Sequence, residues 1–197
     1  MNPHLHHMPY EEDTKIRERP LAFVDLEFSG LGASHEIMQI GCVLVSQPDF
    51  KVLREWGVRV KPTHIESADP TALGLIGYSE EKWKDALPLP DALRQFNEVA
   101  DSAVLIGYNF VWDFFFLKKS YTETGLVPAY HWQVLDVLPM AFAELYDSNL
   151  RGFRMREIVT SLKLKERPAH DALEDSRTTY EIFMYLEKHR AERSLHE

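Results

Sequence analysis

Cysteine is nearly absent from this chain, since Cys42 is the only one among 197 residues. One cysteine cannot form an internal disulfide, and it cannot supply the thiolate cage of a structural zinc site. No apolar run approaches the roughly 20 residues of a membrane-spanning helix. Residues 1–20 also lack the apolar core of a signal peptide. We therefore expect a cytoplasmic protein that neither contains a disulfide nor enters a membrane.

Positive charge is also scarce, with 22 lysines and arginines against 31 aspartates and glutamates and a net charge of −9. A protein that coats nucleic acid non-specifically needs the opposite balance, so that class is excluded. An enzyme that holds nucleic acid at one site through bound metal is not excluded. The length suits one domain with one core, and a hydrophobic content of 45% is ordinary for a globular protein.

Composition divides the chain into three parts. A loose polar leader, one folded domain and a C-terminal tail are predicted for residues 1–19, 20–188 and 189–197. The leader contains His4, His6 and His7, whose imidazoles are common metal ligands, but a mobile polar tail is the alternative. The sequence contains no internal repeat and no low-complexity segment.

The hydrophobic pattern changes its period near residue 88. Before it, three β-prone runs with short connections predict an antiparallel meander, at about residues 21–28, 37–45 and 52–60. After it, we predict helices at about residues 89–99, 110–122, 155–162 and 171–188, and short strands at about 103–107 and 134–135. Asp136 is expected to cap one further helix. This order is typical of an α/β domain in which helices flank a mixed sheet.

The first predicted strand, LAFVDLEF, carries two carboxylates within an apolar run. Side chains alternate between the two faces of a strand, so Asp25 and Glu27 share one face. Two neighbouring carboxylates in apolar surroundings repel each other and lose hydration. A bound cation removes both penalties, which makes this pair a candidate metal site. The alternative is an edge strand with a solvated polar face.

The segment GYNFVWD lies where a buried strand is predicted to turn into a helix. Asn109 is expected to cap that helix, and Asp113 follows four residues later on the same helical side. The residues around Asp113 are apolar, so its carboxylate needs a partner. A metal ion is one candidate, and a polar contact with Asn109 or Lys118 is the other.

The segment RPAHDALEDS combines a loop histidine with a predicted helix start. Pro168 prevents the preceding helix from continuing, and the capping-box spacing of Asp171 and Glu174 predicts a new helix near residue 171. His170 then lies in the loop before this helix and Asp175 lies in its first turns. The alternatives are a histidine in solvent and an ordinary surface aspartate.

Together, the three segments resemble the DEDDh 3′–5′ exonucleases, a family that includes the proofreading subunit of the bacterial replicative polymerase, ribonuclease T and oligoribonuclease. The motifs appear in the family's order as DLEFSGL, GYNFVWD and HDALED, and the resemblance covers about residues 20–187. It implies a ribonuclease-H-like fold with a five-stranded mixed sheet, in which the first strand is central. It also implies that residues 20–188 form the exonuclease domain.

The resemblance implies a site with two divalent cations. Oxygen ligands favour Mg²⁺ or Mn²⁺, and two such ions about 3.5–4 Å apart clamp the attacking and leaving oxygens of a phosphodiester. Asp25, Glu27 and Asp175 would hold one ion, and Asp25 would share the second with Asp113. His170 would act as general base, because an imidazole titrates at about pH 6.5.

The implied substrate is the 3′ end of single-stranded DNA or RNA. Backbone amides around Ser29, Gly30 and Leu31 are expected to meet the terminal nucleotide. Leu31 would lie beside the last base and Tyr78 would stack on it, with core packing as the alternative for each. A polymerase or a second copy of the chain is the expected protein partner. Two other functions stay open, namely a non-catalytic binding module and a hydrolase of very short oligonucleotides.

Three single positions and one short segment depart from the family pattern. Ser29 replaces the commoner threonine, Gln39 stands where many members have glutamate, and Tyr108 replaces a frequent histidine. Ile76-Gly77-Tyr78 replaces the more usual His-Gly-Ile or Asn-Gly-Ile. These changes leave the choice between DNA and RNA open, together with the preferred length of the substrate.

A basic segment follows the second motif. Residues 151–167 contain six basic residues and two acidic ones, namely Arg151, Arg154, Arg156, Lys163, Lys165 and Arg167 against Glu157 and Glu166. Because the rest of the chain is acidic, this segment is expected to guide the phosphate backbone toward His170. The alternative is a solvated helix face.

Overall fold

The protein is described here from a computed structural model, which covers residues 15–148 and 150–194. His4, His6 and His7 of the predicted leader lie outside the described residues. The last part of that leader is held at the domain, because the side-chain amide of Gln47 donates hydrogen bonds to the carbonyls of Ile16 and Arg19. None of the helices in the described ranges has the length and apolar character needed to span a membrane.

The described residues form five strands and six α-helices. The strands are β1 (Leu21–Phe28), β2 (Ile37–Val45), β3 (Val52–Arg59), β4 (Val104–Gly107) and β5 (Val134–Asp136). The helices are α1 (Pro70–Leu75), α2 (Leu89–Val99), α3 (Val111–Thr124), α4 (Val137–Glu144), α5 (Met155–Ser161) and α6 (Ala172–Ser194). The strand order is β3-β2-β1-β4-β5, with β1 in the centre.

The sheet is mixed, as predicted. Strands β1, β2 and β3 pair antiparallel as a meander, whereas β4 pairs parallel with β1 and β5 pairs parallel with β4. Alternate residues of β1 enter two separate cores. Ala22, Val24 and Leu26 pack with α2 and α3, while Leu21 and Phe23 pack with α4, α5 and α6. By the same alternation, Asp25 and Glu27 point to the side of the sheet that α6 covers.

The first turn of α6 lies directly on β2, and Gly41 makes this approach possible. Gly41 is the cross-strand partner of Asp25. A Cβ atom at Gly41 would lie 2.0 Å from the carbonyl oxygen of Ala172. Since only a glycine leaves room for that backbone, Gly41 sets the height of α6 above the carboxylates of β1.

Gly41→Ala is expected to destabilise the protein by about 1–3 kcal/mol, because the added methyl group must displace the α6 backbone. Urea unfolding measures the change. The matched control is Gly74→Ala in α1, where an added Cβ meets no atom within 4 Å. That control is expected to be neutral or slightly stabilising. Equal effects of both substitutions would contradict the close contact of α6 with β2.

The last helix is longer than predicted, since α6 continues to Ser194 rather than ending near residue 188. The added turns pack against α4, where Glu144 contacts Nδ1 of His189 at 2.6 Å and also pairs with Arg193. This contact joins positions that are 45 residues apart, so the local pattern around residue 188 could not reveal it.

Candidate active site

Three of the four predicted carboxylates meet at the end of β1. Oxygen atoms of Asp25, Glu27 and Asp175 all lie within 4.8 Å of one another. Asp25 and Glu27 come from β1, and Asp175 comes from the first turn of α6. That turn starts as predicted, because Asp171 accepts hydrogen bonds from the backbone amides of Leu173 and Glu174, both at 3.2 Å. A local cap and the glycine contact on β2 therefore bring Asp175 to the β1 pair.

The fourth carboxylate, Asp113, approaches from α3 on the opposite layer. Its side chain is 8% exposed, and its Oδ1 accepts a hydrogen bond from the backbone amide of Leu26 at 2.8 Å. The alternative prediction, a polar contact of Asp113 with Asn109 or Lys118, was therefore wrong about the partner. The amide of Leu26 lies between Asp25 and Glu27 in the chain, so this bond holds Asp113 beside the β1 pair.

Asn109 does not cap α3, contrary to the prediction. Its φ is 55°, outside the extended region that a capping residue requires, and the helix starts after Phe110 without a side-chain cap. The turn is held from β5 instead. Asp136 accepts hydrogen bonds from the amides of Asn109 and Phe110, each at 2.9 Å, while it also caps α4 as predicted.

The carboxylates are crowded enough to resist ionisation. Burial raises the pKa of Glu27 to about 8, with further contributions from the charges of Asp175 and Asp113. Burial raises the pKa of Asp113 to about 7 against the opposing hydrogen bond from Leu26, and it raises the pKa of Asp175 to about 6. Burial, followed by the charge of Asp113, holds the pKa of Asp25 well above its usual range. An oxygen-only cluster of this kind fits a hard divalent cation, which relieves the repulsion.

His170 lies at the edge of this cluster. Its backbone amide donates a hydrogen bond to Oδ2 of Asp175 at 2.9 Å, and its Nδ1 lies 3.8 Å from Oε1 of Glu27. The side chain is 44% exposed, so the imidazole is open to the cleft. The bond to Asp175 also supports an uncommon backbone conformation, with φ at 62°.

Arg167 fixes the loop that carries His170. Its guanidinium contacts Glu174 at 3.0 Å and Glu181 at 2.5 Å, both on α6. Glu174 also pairs with Arg177 at 2.5 Å, so its carboxylate is engaged with arginines on the helix surface. Arg167 also lines the active-site cleft, where these carboxylates compensate its charge.

A cleft of about 810 Å³ surrounds the cluster. It is lined by all five predicted catalytic and metal-binding residues, and by Leu31, Tyr108, Trp112, Arg154 and Arg156 among others. The sequence interpretation missed Trp112 as a cleft residue, because it treated all residues around Asp113 as apolar surroundings of that carboxylate, whereas Trp112 is 43% exposed. Helical spacing gives the signal, because buried Asp113, Phe116, Leu117 and Ser120 form one stripe that leaves Trp112 outside it.

The structure separates the four predicted substrate contacts. Leu31 lines the cleft and is 55% exposed. Ser29 is buried, and its backbone amide already donates a hydrogen bond to the carbonyl of Glu36 at 2.9 Å, so this amide is not free for a nucleotide. Gly30 is also buried, with φ at 145°.

Tyr78 lies apart from the cleft. Its ring packs on Trp83 with the ring centroids 5.1 Å apart, and it belongs to a small separate core. Among the described residues that line the cleft, Tyr78 is absent. The expected stacking of Tyr78 on the terminal base is therefore not supported by this arrangement, which matches the core-packing alternative.

Two departures from the family pattern have structural partners. Gln39 is the cross-strand neighbour of Glu27, and its Oε1 accepts a hydrogen bond from the amide of Ala172 at 3.4 Å. It thus supports the start of α6. The hydroxyl of Tyr108 donates to the carbonyl of Phe153 at 2.5 Å, which ties the end of β4 to the loop before α5.

Comparison with known proteins gives consistent results. The model of the RNase_T family, described as Exonuclease, matches residues 22–183. The PolC-type DNA polymerase III of Caldanaerobacter subterraneus is 31% identical over 163 residues, which cover 82% of this chain and 11% of that protein. The PolC-type enzyme of Lactococcus lactis is 25% identical over 180 residues, which cover 90% of this chain and 11% of that protein.

Solved structures share the fold. Exonuclease I of E. coli in complex with a dT13 oligonucleotide has a TM-score of 0.72 at 18% identity, covering 85% of this chain and 40% of that one. A product-bound exonuclease I has a TM-score of 0.74 at 17% identity, covering 89% and 45%. The chain thus spans about 11% of these curated relatives and less than half of these solved chains. Because the family model spans most of the folded domain and the sheet has the expected order, this chain belongs to the DEDD-type 3′–5′ exonuclease family.

Proposed function

We propose that this chain is a metal-dependent 3′–5′ exonuclease that hydrolyses the terminal phosphodiester bond of single-stranded DNA. The observation that carries the proposal is the convergence of four carboxylates from β1, α3 and α6 in one cleft, with His170 at its edge. A non-catalytic binding module has no need of such a costly cluster of buried charges. Single-stranded DNA is favoured over RNA because the exonuclease I neighbour was solved with a dT13 oligonucleotide.

The donor set suggests how the cofactor is held. Asp25, Glu27 and Asp175 would bind one Mg²⁺ or Mn²⁺ ion, and Asp25 with Asp113 would bind a second. When bound, such cations neutralise the phosphate and the developing charge on the leaving oxygen. All four proposed ligands are carboxylate oxygens, which hard cations such as Mg²⁺ and Mn²⁺ prefer. This supports these ions over zinc.

The role proposed for His170 is to remove the proton from the attacking water. Its position beside Glu27 and Asp175 supports this role, because both residues belong to the proposed metal site. Its exposure to the cleft allows the proton to leave for solvent. The ion pairs of Arg167 keep the loop in place, so that the imidazole meets the scissile bond in a fixed orientation.

The 3′ end of the DNA is proposed to contact two apolar side chains. Leu31 and Trp112 are both exposed and both line the cleft, Leu31 from the loop after β1 and Trp112 from α3. An exposed aromatic ring offers a stacking surface for a base. The PolC-type relatives support a DNA polymerase as the protein partner, and a second copy of the chain stays the alternative proposal.

A 3′-phosphate on a labelled DNA oligonucleotide is expected to suppress cleavage strongly, because an exonuclease must seat a free 3′ end. The measurement compares linear oligonucleotides with free and blocked 3′ ends, as DNA and as RNA, with and without Mg²⁺. Products should shorten by one nucleotide at a time from the 3′ end. Cleavage of circular and linear single strands at equal rates would show an endonuclease and overturn the proposal.

A further inference from the structure

A second cleft adjoins the active-site cleft on the outer side of α5. Its volume is about 540 Å³, and its lining includes Arg151, Arg156 and Ser161. Arg156 also lines the active-site cleft, so the two depressions share a wall formed by α5. A ligand that is long enough can therefore occupy both at once. We refer to this second depression as the α5 cleft.

The α5 cleft has unpaired positive charge. Arg151 and Arg156 are exposed, and neither forms an ion pair with any residue in the described ranges. This distinguishes them from Arg167 and Arg177, whose guanidinium groups are neutralised by carboxylates of α6 and β3. Among the described residues of the lining, Glu157 is the one acidic side chain, and its Oε2 accepts a hydrogen bond from the amide of Arg154 at 3.0 Å.

The position of α5 relative to the carboxylates is fixed. The hydroxyl of Tyr108 donates to the carbonyl of Phe153, and Val159 of α5 is buried against the sheet. Tyr108 lines the active-site cleft and directly follows β4. The two clefts therefore keep a constant separation, which is what two subsites for one polymer require.

The ligand must be anionic, and the continuity of the clefts favours a polyanion. With a net charge of −9 on the whole chain, a nucleic-acid strand is repelled by most of the surface and attracted here. We propose that the α5 cleft binds an internucleotide phosphate of the single strand on the 5′ side of the terminal nucleotides. This inference rests on the proposed function and adds to it a minimum length for efficient cleavage.

Arg151→Gln tests the subsite, because Arg151 lines the α5 cleft and is absent from the described lining of the active-site cleft. The substrates are a DNA dinucleotide and a DNA dodecamer, with kcat/KM measured over a range of salt concentrations. For the dodecamer we expect KM to rise about tenfold, as for loss of a charge-assisted hydrogen bond. The salt slope should fall by about 0.7, the value for one phosphate of a single strand. The dinucleotide should be cleaved at an unchanged rate.

The matched control is Arg54→Gln, which removes the same charge from an exposed arginine on β3, outside the basic segment and outside both described linings. It should leave both substrates unaffected. If Arg151→Gln and Arg54→Gln behave alike, the subsite is overturned and only the general charge matters. Unchanged kinetics of Arg151→Gln at every substrate length would equally overturn the proposal.

Equilibrium binding separates this inference from the proposed function. Fluorescence anisotropy in Mg²⁺ measures affinity without cleavage when the labelled dodecamer keeps a free 3′ hydroxyl and its last linkages are phosphorothioates that resist hydrolysis. Weaker binding by Arg151→Gln with no cleavage by the wild-type protein would support the subsite and refute the exonuclease. Cleavage by the wild-type protein with no effect of Arg151→Gln on binding would support the exonuclease and refute the subsite.

Discussion

Asp25→Ala is expected to abolish nuclease activity in Mg²⁺ while the protein stays folded. Asp25 lies in the cluster with oxygen atoms of Glu27 and Asp175 within 4.8 Å, and burial followed by the charge of Asp113 raises its pKa. Its loss would remove a ligand from both proposed cations and with it their stabilisation of the transition state, which amounts to several kcal/mol. The measurement is 3′-end cleavage of labelled single-stranded DNA at saturating Mg²⁺.

In the absence of metal, Asp25→Ala is expected to keep or gain stability, although it loses activity. A carboxyl group whose pKa is raised by folding stabilises the protein at pH values below its unfolded pKa, and this contribution is lost as pH rises through the folded pKa. With Glu27 titrating at about 8 and Asp113 at about 7, the metal-free wild-type protein should lose stability between about pH 4 and pH 8. Asp25→Ala should lose less, and its Tm at pH 8 should equal or exceed that of the wild type.

Asp113 requires a different substitution. Asp113→Ala would leave the buried amide of Leu26 without its acceptor, at a cost of about 1–3 kcal/mol. Asp113→Asn keeps an oxygen at this position, so it should abolish activity with little loss of stability. Removal of the Asp113 carboxyl group in Asp113→Ala is therefore expected to cost stability, unlike removal of the Asp25 carboxyl group.

The control for both variants is Asp101→Ala, which removes an exposed carboxylate from the turn before β4. It should keep full activity, and its Tm should rise on addition of Mn²⁺ as in the wild type. Asp25→Ala should show no such rise. Full activity of Asp25→Ala or Asp113→Asn in Mg²⁺ would refute the two-cation assignment.

His170→Ala is expected to lower the cleavage rate by about 10²–10⁴, the usual contribution of a positioned general base. In the wild-type protein, the rate at saturating Mg²⁺ should rise with pH as an imidazole loses its proton and then become constant. The variant should lack this rise. Its deficit should shrink at high pH, because hydroxide attacks without the help of a base.

Metal binding distinguishes the base from a ligand. His170→Ala should bind Mn²⁺ with unchanged affinity by calorimetry, since the four carboxylates are untouched. The control is His64→Ala, a second exposed loop histidine, whose rate and pH profile should match the wild type. If His170→Ala lowers Tm but keeps the rate, the histidine only supports the start of α6. Loss of Mn²⁺ binding would instead make it a ligand or a structural residue.

Local chemistry in the sequence was enough to predict the strand and the helix starts that carry the site. The two-residue period of β1 placed Asp25 and Glu27 on one face, because side-chain alternation is a property of the strand alone. The caps at Asp136 and Asp171 were predicted for a similar reason, since each accepts hydrogen bonds from amides two or three residues away. The order of the three motifs then predicted the family, and with it the central position of β1.

Only the tertiary structure decided which groups serve as partners. Asp113 accepts its hydrogen bond from Leu26, 87 residues away, and Asn109 is held by Asp136 rather than capping α3. Trp112 lies in the cleft and Tyr78 packs in a small core, because exposure depends on which faces of the elements lie against each other. The raised pKa values of the cluster also depend on the tertiary structure, since burial and neighbouring charges produce them only when β1, α3 and α6 are assembled. Sequence periodicity fixes the direction of a side chain along its own element, whereas the groups that it meets depend on contacts between distant elements.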